Sequence, residues 1–159
     1  MSGILGYATY LPYYRLNRAA IAATLGGPPG KGARTVASYD EDSTSMAVAA
    51  ARRLLAGLPD DLSALYFATT SPAYLDKTNA TAIHAALGLP AGIGAYDMGG
   101  AVRSAVGLLA AALASSRSSL VVAADIRTGL PGGEDEREGG DGAAAFMVGP
   151  GDEEHPVLA

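Results

Sequence analysis

Apolar positions along this chain fall in short blocks set off by glycine, proline and polar residues, and the blocks switch between strand-like and helix-like spacing. Gly3 to Leu16 (GILGYATYLPYYRL) is rich in Tyr, Ile and Leu and predicts a strand running to Pro12. Asn17 is suited to cap a short helix, RAAIAATLG, closed by Gly26-Gly27. PPGKGARTVAS reads as a loop whose cations are Lys31 and Arg34. Asp40-Glu41-Asp42-Ser43 then opens a second helix, where acids and a hydroxyl suit the positive end of the dipole better than a metal. Met46, Ala50, Leu54 and Leu58 recur on one face of it, Arg52 and Arg53 fall outside that face, and Leu58-Pro59-Asp60-Asp61 ends it. Ala64 to Thr70 (ALYFATT) predicts a buried strand, followed by a loop, SPAYLDKT, and a helix from about Asn79 to Leu87 that Gly88 closes. Ala95 to Met98 predicts the next strand. Leu120 to Ala124 (LVVAA) is a continuous apolar run, as in a strand covered on both faces. TGLPGGEDEREGGDG reads as a polar loop with a solvated acidic run, Ala143 to Val148 as a strand, and Pro156 to Ala159 as a strand just beginning.

The stretch Tyr96 to Ser116 (YDMGGAVRSAVGLLAAALASS) stands apart. It predicts a short strand, a Gly-Gly turn, and a helix at about residues 100–116 on which Arg103 is the one charged residue. Alanine, valine and leucine lie on every side, so the pattern predicts a central helix buried all round. The run is too short, too alanine-rich and too interrupted by Ser and Arg for a membrane span. Its N-terminal end, Gly99 to Arg103, presents free N–H groups.

Strands alternating with helices predict an α/β fold: a mostly parallel five-stranded sheet with helices on both faces. Ligands in such sheets sit beyond the C-terminal strand ends. Three ends carry candidate residues: Thr69, Thr70 and Ser71; Asp97 to Arg103; and Asp125 to Arg127.

Composition narrows this further. The 159 residues suit one domain, and 49% hydrophobic against 17% charged residues marks it as globular. A net charge of -5 with no basic stripe argues against nucleic acid. With no cysteine, the chain offers neither disulfide, thiolate ligand nor cysteine nucleophile. The N-terminus shows no signal-peptide pattern, so a cytoplasmic protein is expected.

Familiar catalytic motifs are missing. The residues after Met98 are GGAVRS rather than GxGxxG, and there is no GxxxxGK[ST]. His84 lies inside a helix and reads as a packing residue, while His155 sits in a charged segment expected to face solvent. Ser104 is in an apolar helix rather than a GxSxG elbow. Asp97 and Asp125, at strand ends, are expected to orient loops or cap N–H groups.

Four segments, YDEDSTSMAVAAARRLL, FATTSPAYLDKTNATAIHAALGL, AYDMGGAVRSAVGLLAAAL and LVVAADIR…GDGAAAFMVG, carry a resemblance. From Gly3 onward the chain resembles the N-terminal half of a thiolase-fold enzyme of the hydroxymethylglutaryl-CoA synthase branch, with ketoacyl synthase III a more distant cousin. The resemblance puts Val102 where those synthases carry the acylated cysteine and Thr70 where they carry a catalytic glutamate. Valine is no nucleophile, and threonine is no acid or base near neutral pH. The resemblance also implies acyl-CoA as ligand, with Lys31 and Arg34 as candidates for the CoA phosphates and Tyr74, Asp76 and Arg103 as candidates for the pocket. It implies a partner too: the C-terminal half, in the same polypeptide or as a separate chain, or a second copy covering the central helix. Two main readings follow. One is half of an enzyme that makes or breaks a carbon–carbon bond beside a thioester without a cysteine. The other is a non-catalytic acyl-CoA-binding or scaffold subunit. A conventional condensing enzyme with a relocated nucleophile has no candidate residue.

Overall fold

The predicted strands meet in one five-stranded sheet of order β1-β7-β6-β4-β5. The computed structural model describes residues 2–28, 30–56, 62–152 and 156–158. β1 (Ser2–Tyr10), β4 (Ala64–Thr69), β5 (Gly94–Gly99), β6 (Ser119–Asp125) and β7 (Gly142–Pro150) form the sheet. β5, β4 and β6 pair in parallel, and β7 runs antiparallel between β6 and β1. Four of the five strands therefore point the same way, and their C-terminal ends share one edge of the molecule.

Helices cover both faces unequally. α2 (Ser43–Leu55) turns Met46, Ala47, Ala50, Ala51 and Leu54 inward, and small alanines let it lie close over β1, β7 and β6. α3 (Asn79–Leu87) packs beside it over β5 and β4. Beneath them lie Leu65, Phe67, Leu120, Val122, Ala145 and Met147, all essentially without solvent contact. On the opposite face the one helix among the described residues is α4 (Ser104–Ala114), whose Leu108 and Ala112 meet Ala68, Val121 and Val148.

Capping residues fix the helix ends much as the sequence predicts. Asn17 accepts from the Ala19 N–H at 2.8 Å to start α1 (Arg18–Leu25), and Gly26 ends it at positive φ. Asp42 and Ser45 form a reciprocal capping box at α2. Glu41 accepts from the Ser38 N–H at 2.7 Å and from the Tyr10 hydroxyl. The α3 cap comes from elsewhere. Thr78 makes no side-chain cap, and Asp97 of β5 accepts from the backbone N–H groups of Asn79 and Ala80, both at 2.6 Å. Asp97→Ala is expected to cost about 1–2 kcal/mol of stability by freeing both donors; urea unfolding checks this, and an unchanged midpoint would contradict it.

Several predicted elements are corrected. The loop PPGKGARTVAS contains a strand, β3 (Ala33–Val36), which pairs antiparallel with β2 (Tyr14–Asn17) in a separate two-stranded sheet. The acidic loop contains a short helix, α5 (Glu134–Arg137), and is pinned by ion pairs rather than solvated throughout. Residues 156–158 form no strand, although the Leu158 N–H donates to the Ile4 carbonyl at 2.8 Å. The central helix starts at Ser104, and it is not buried all round: Val106 is 66% exposed, because nothing among the described residues covers its outer side. The predicted end of α2 at Leu58 to Asp61, His155 and Ala159 lie outside the described residues. Among the described residues no helix is long and apolar enough to cross a membrane, and no cluster of three His, Asp or Glu is arranged to hold a metal.

Candidate functional site

All three predicted strand ends come together: β4 lies between β5 and β6, with Thr69 paired to Gly99 at the β5 end. β4 and β6 are parallel neighbours, so Thr69, Thr70 and Ser71 meet Asp125 to Arg127. One Asp125 oxygen, Oδ1, accepts from Thr69 Oγ1 at 3.1 Å, the Thr70 N–H at 2.6 Å and Thr70 Oγ1 at 3.0 Å. Ser71 Oγ accepts from the Ile126 N–H at 2.8 Å, and the Ser43 hydroxyl at the start of α2 holds the Ser71 carbonyl at 2.7 Å. These bonds fix the turn after β4 against the end of β6.

Arg127 bridges this turn to the acidic segment. Its Nη1 donates to Thr70 Oγ1 at 3.4 Å and lies 3.8 Å from Asp125 Oδ2, while Nη2 pairs with Asp135. Behind it sits Asp141, 3% exposed, paired at 3.2 Å with Arg34, 7% exposed. Asp141 also accepts from the backbone N–H groups of Arg127 and Ala37, each at 2.8 Å. Arg34 donates to the carbonyls of Arg127 at 2.7 Å, Asp135 at 3.0 Å and Glu136 at 2.7 Å. A buried guanidinium thus gathers β3, the end of β6 and α5 around one point.

An open cleft of about 740 Å³ lies over these groups. Asp125, Arg127, Asp135 and Asp141 line it, with walls of Ala123, Ala124, Ala143, Ala144 and three glycines. Val102, 61% exposed and two residues before α4, stands in the same lining. Gly100, at φ +96°, makes the turn that brings the chain there, a conformation β-carbon residues rarely adopt.

Other candidates are placed differently. Arg34 is inside the lock just described, so its terminal nitrogens do not face a surface open to phosphate. Lys31 is exposed on the segment between α1 and β3. Arg103 is exposed at the foot of α4 and has no ion-pair partner among the described residues. Tyr74 and Asp76 lie on the exposed turn before α3, outside the cleft lining; the Lys77 ammonium sits 3.7 Å from the centre of the Tyr74 ring. His84 Nε2 rests 3.1 Å from the Pro90 carbonyl, in keeping with a packing residue. Ser104 begins α4, its hydroxyl 3.5 Å from the Gly99 carbonyl. At the start of α2, the bond to Glu41 raises the Tyr10 pKa, and the Ser38 hydroxyl lowers that of Asp40.

The sequence pattern did not single out Asp135 and Asp141. Asp141 carried one faint signal: a lone acid between glycines immediately before an apolar strand.

Comparison with known proteins agrees with this fold. No family model matches the chain. It is 34% identical to the hydroxymethylglutaryl-CoA synthase of Aeropyrum pernix, across 94% of this chain and 45% of that protein. With the hydroxymethylglutaryl-CoA synthase of Methanopyrus kandleri it is 32% identical, across 92% of this chain and 46% of that one. A crystal structure of 3-oxoacyl-(acyl-carrier-protein) synthase III superposes with a TM-score of 0.82 at 26% identity, covering 95% of this chain and 50% of its own. A hydroxymethylglutaryl-CoA synthase complexed with CoA gives 0.83 at 25%, covering 93% and 42%. The chain spans about half the length of the curated relatives it matches.

Proposed function

Because the chain is a half-length thiolase-like fold, similar along nearly its whole length to hydroxymethylglutaryl-CoA synthases, we propose that it supplies half of an acyl-CoA enzyme that makes or cleaves a carbon–carbon bond beside the thioester carbonyl, with no cysteine nucleophile of its own. The observation that carries this reading is Val102, exposed in the lining of a cleft whose floor holds Asp125 and Arg127. A valine there forms no acyl-enzyme. An aldol, retro-aldol or decarboxylative step through an enolate needs only a base and an oxyanion site. The N-terminal end of α4 suits the oxyanion, since helix N-termini favour negative charge. Asp125 suits positioning rather than proton transfer, with three donors on Oδ1 and Arg127 beside Oδ2. The proton-transferring group then comes from the body that covers α4: a C-terminal half in the same polypeptide, a separate chain or a second copy. Exposed Lys31 remains the candidate for a CoA phosphate, and Arg103 for a charged group arriving with the partner or substrate.

One observation favours a scaffold reading instead. The cleft's charged groups are already engaged with one another, which suits a subunit that binds acyl-CoA and supports an active partner. The test is to incubate the chain, alone and with a complementary half, with acyl-CoAs and to follow free CoA and carbonyl release. Turnover is expected in the assembly and should persist within about threefold in Val102→Ala, since that side chain carries no chemistry. Binding without turnover in every combination would leave the scaffold reading, and no binding at all would defeat both.

A further inference from the structure

Four charged side chains line the cleft: Asp125, Arg127, Asp135 and Asp141. Arg127 is the cation among them, and both its terminal nitrogens are engaged. Nη1 faces Thr70 Oγ1 and Asp125, and Nη2 faces Asp135. The charge of Asp141 is met from behind by Arg34. Three carboxylates therefore meet two guanidiniums, and the wall keeps a formal surplus of one negative charge. Arg103, next to Val102 in sequence, is not in the lining. The rest of the wall is alanine, glycine, Leu11 and Val102, with the threonines Thr9 and Thr35.

Such a cleft offers an incoming carboxylate no free guanidinium and a repelling surface, whereas an uncharged acyl group can lie against its apolar wall without that repulsion. We infer that Asp135, by holding Arg127, sets the charge of the acyl group this cleft accepts: uncharged acyl thioesters enter, and those ending in a carboxylate are turned away. The inference deepens the acyl-thioester reading and rests on it. Asp135 is the member of the network suited to this role. It is 47% exposed, so its side chain can change without opening the core, whereas Asp141 and Arg34 are interior. Its backbone carbonyl, which Arg34 uses, survives any side-chain substitution.

The test is calorimetric titration of the full chain, in its assembled form, with butyryl-CoA and succinyl-CoA, for the unchanged protein, Asp135→Asn and Asp135→Glu. The two thioesters share CoA and differ at the acyl end by a carboxylate. The unchanged protein is expected to bind butyryl-CoA at least about tenfold more tightly than succinyl-CoA. Asp135→Asn is expected to tighten succinyl-CoA by about tenfold and leave butyryl-CoA within about twofold, because Arg127 is released. Asp135→Glu keeps the charge and is expected to retain the original preference. Equal binding of both thioesters by the unchanged protein, or an Asp135→Asn effect alike on both, would overturn the inference while leaving the acyl-thioester reading in place. No binding of either thioester by any of the three proteins would remove that reading and the inference with it.

Discussion

Asp141→Ala is expected to lower folding stability by about 3–5 kcal/mol, because it leaves a buried guanidinium without its counter-charge. Arg34 is 7% exposed and Asp141 3%, so water reaches neither readily. The same substitution strips acceptors from the backbone N–H groups of Arg127 and Ala37. The loss should centre on β2, β3, α1 and α5, because their attachment to the sheet runs through these bonds. Arg18 pairs with Glu138 and Arg137 donates to the Gly26 carbonyl, which ties α1 to the α5 segment rather than to the sheet. Urea unfolding gives the magnitude, and hydrogen exchange gives the place. Arg34→Met combined with Asp141→Leu should be milder than Asp141→Ala, since an apolar pair leaves no stranded charge. A single variant with an unchanged midpoint would show that the pair is solvated in solution.

Val106→Asp is expected to abolish association while changing the stability of the isolated chain by less than about 0.5 kcal/mol, as for an exposed position. Val106 is 66% exposed on the outer side of α4. Around it the same side of the sheet leaves Tyr7 66%, Tyr96 55% and Met98 42% exposed. Tyr7 is on that side because it lies opposite Phe146, and Tyr96 because it stacks on Tyr66. An apolar area of this breadth marks a surface that another body covers. Each Å² covered contributes roughly 25 cal/mol. A buried, unpaired carboxylate in its midst should weaken association by about a hundredfold or more. In the unchanged chain the melting temperature should therefore rise with the concentration of the covering body, a second copy or a complementary half. In Val106→Asp it should not, and a concentration-dependent melting temperature in the variant would place the contact elsewhere.

How far the sequence went follows from the range of each interaction. Asn17, Asp42, Gly26 and Gly88 act within a few residues of themselves, so they mark helix ends legibly. The apolar runs of β4 and β6 were equally plain, because a strand covered on both faces needs no partner to be recognised. β2 and β3 escaped notice because each has four residues and their pairing spans all of α1. No periodicity is visible at that length. Arg34 and Asp141 are 107 positions apart, and nothing local distinguishes a buried charge from a solvated one. That hid the acidic loop's real role and made Arg34 look like a phosphate ligand. Thr70 and Asp125 were each noted as strand-end residues. Their meeting depended on strand order, which only the parallel pairing of β4 and β6 supplied. The apolar helix was visible from composition alone, and the resemblance already implied a partner to cover it; which residues lie bare, Val106 among them, follows from the single helix placed on that face among the described residues.

Sedimentation equilibrium on the unmodified chain at micromolar concentration tests the central claim most directly. If α4 is the inner helix of a larger body, the chain, alone or mixed with a complementary half, sediments as a particle heavier than one 159-residue polypeptide, and Val106→Asp returns it to the mass of one. A folded particle of single-chain mass at every concentration, with and without the complementary half and indifferent to Val106→Asp, would contradict the claim.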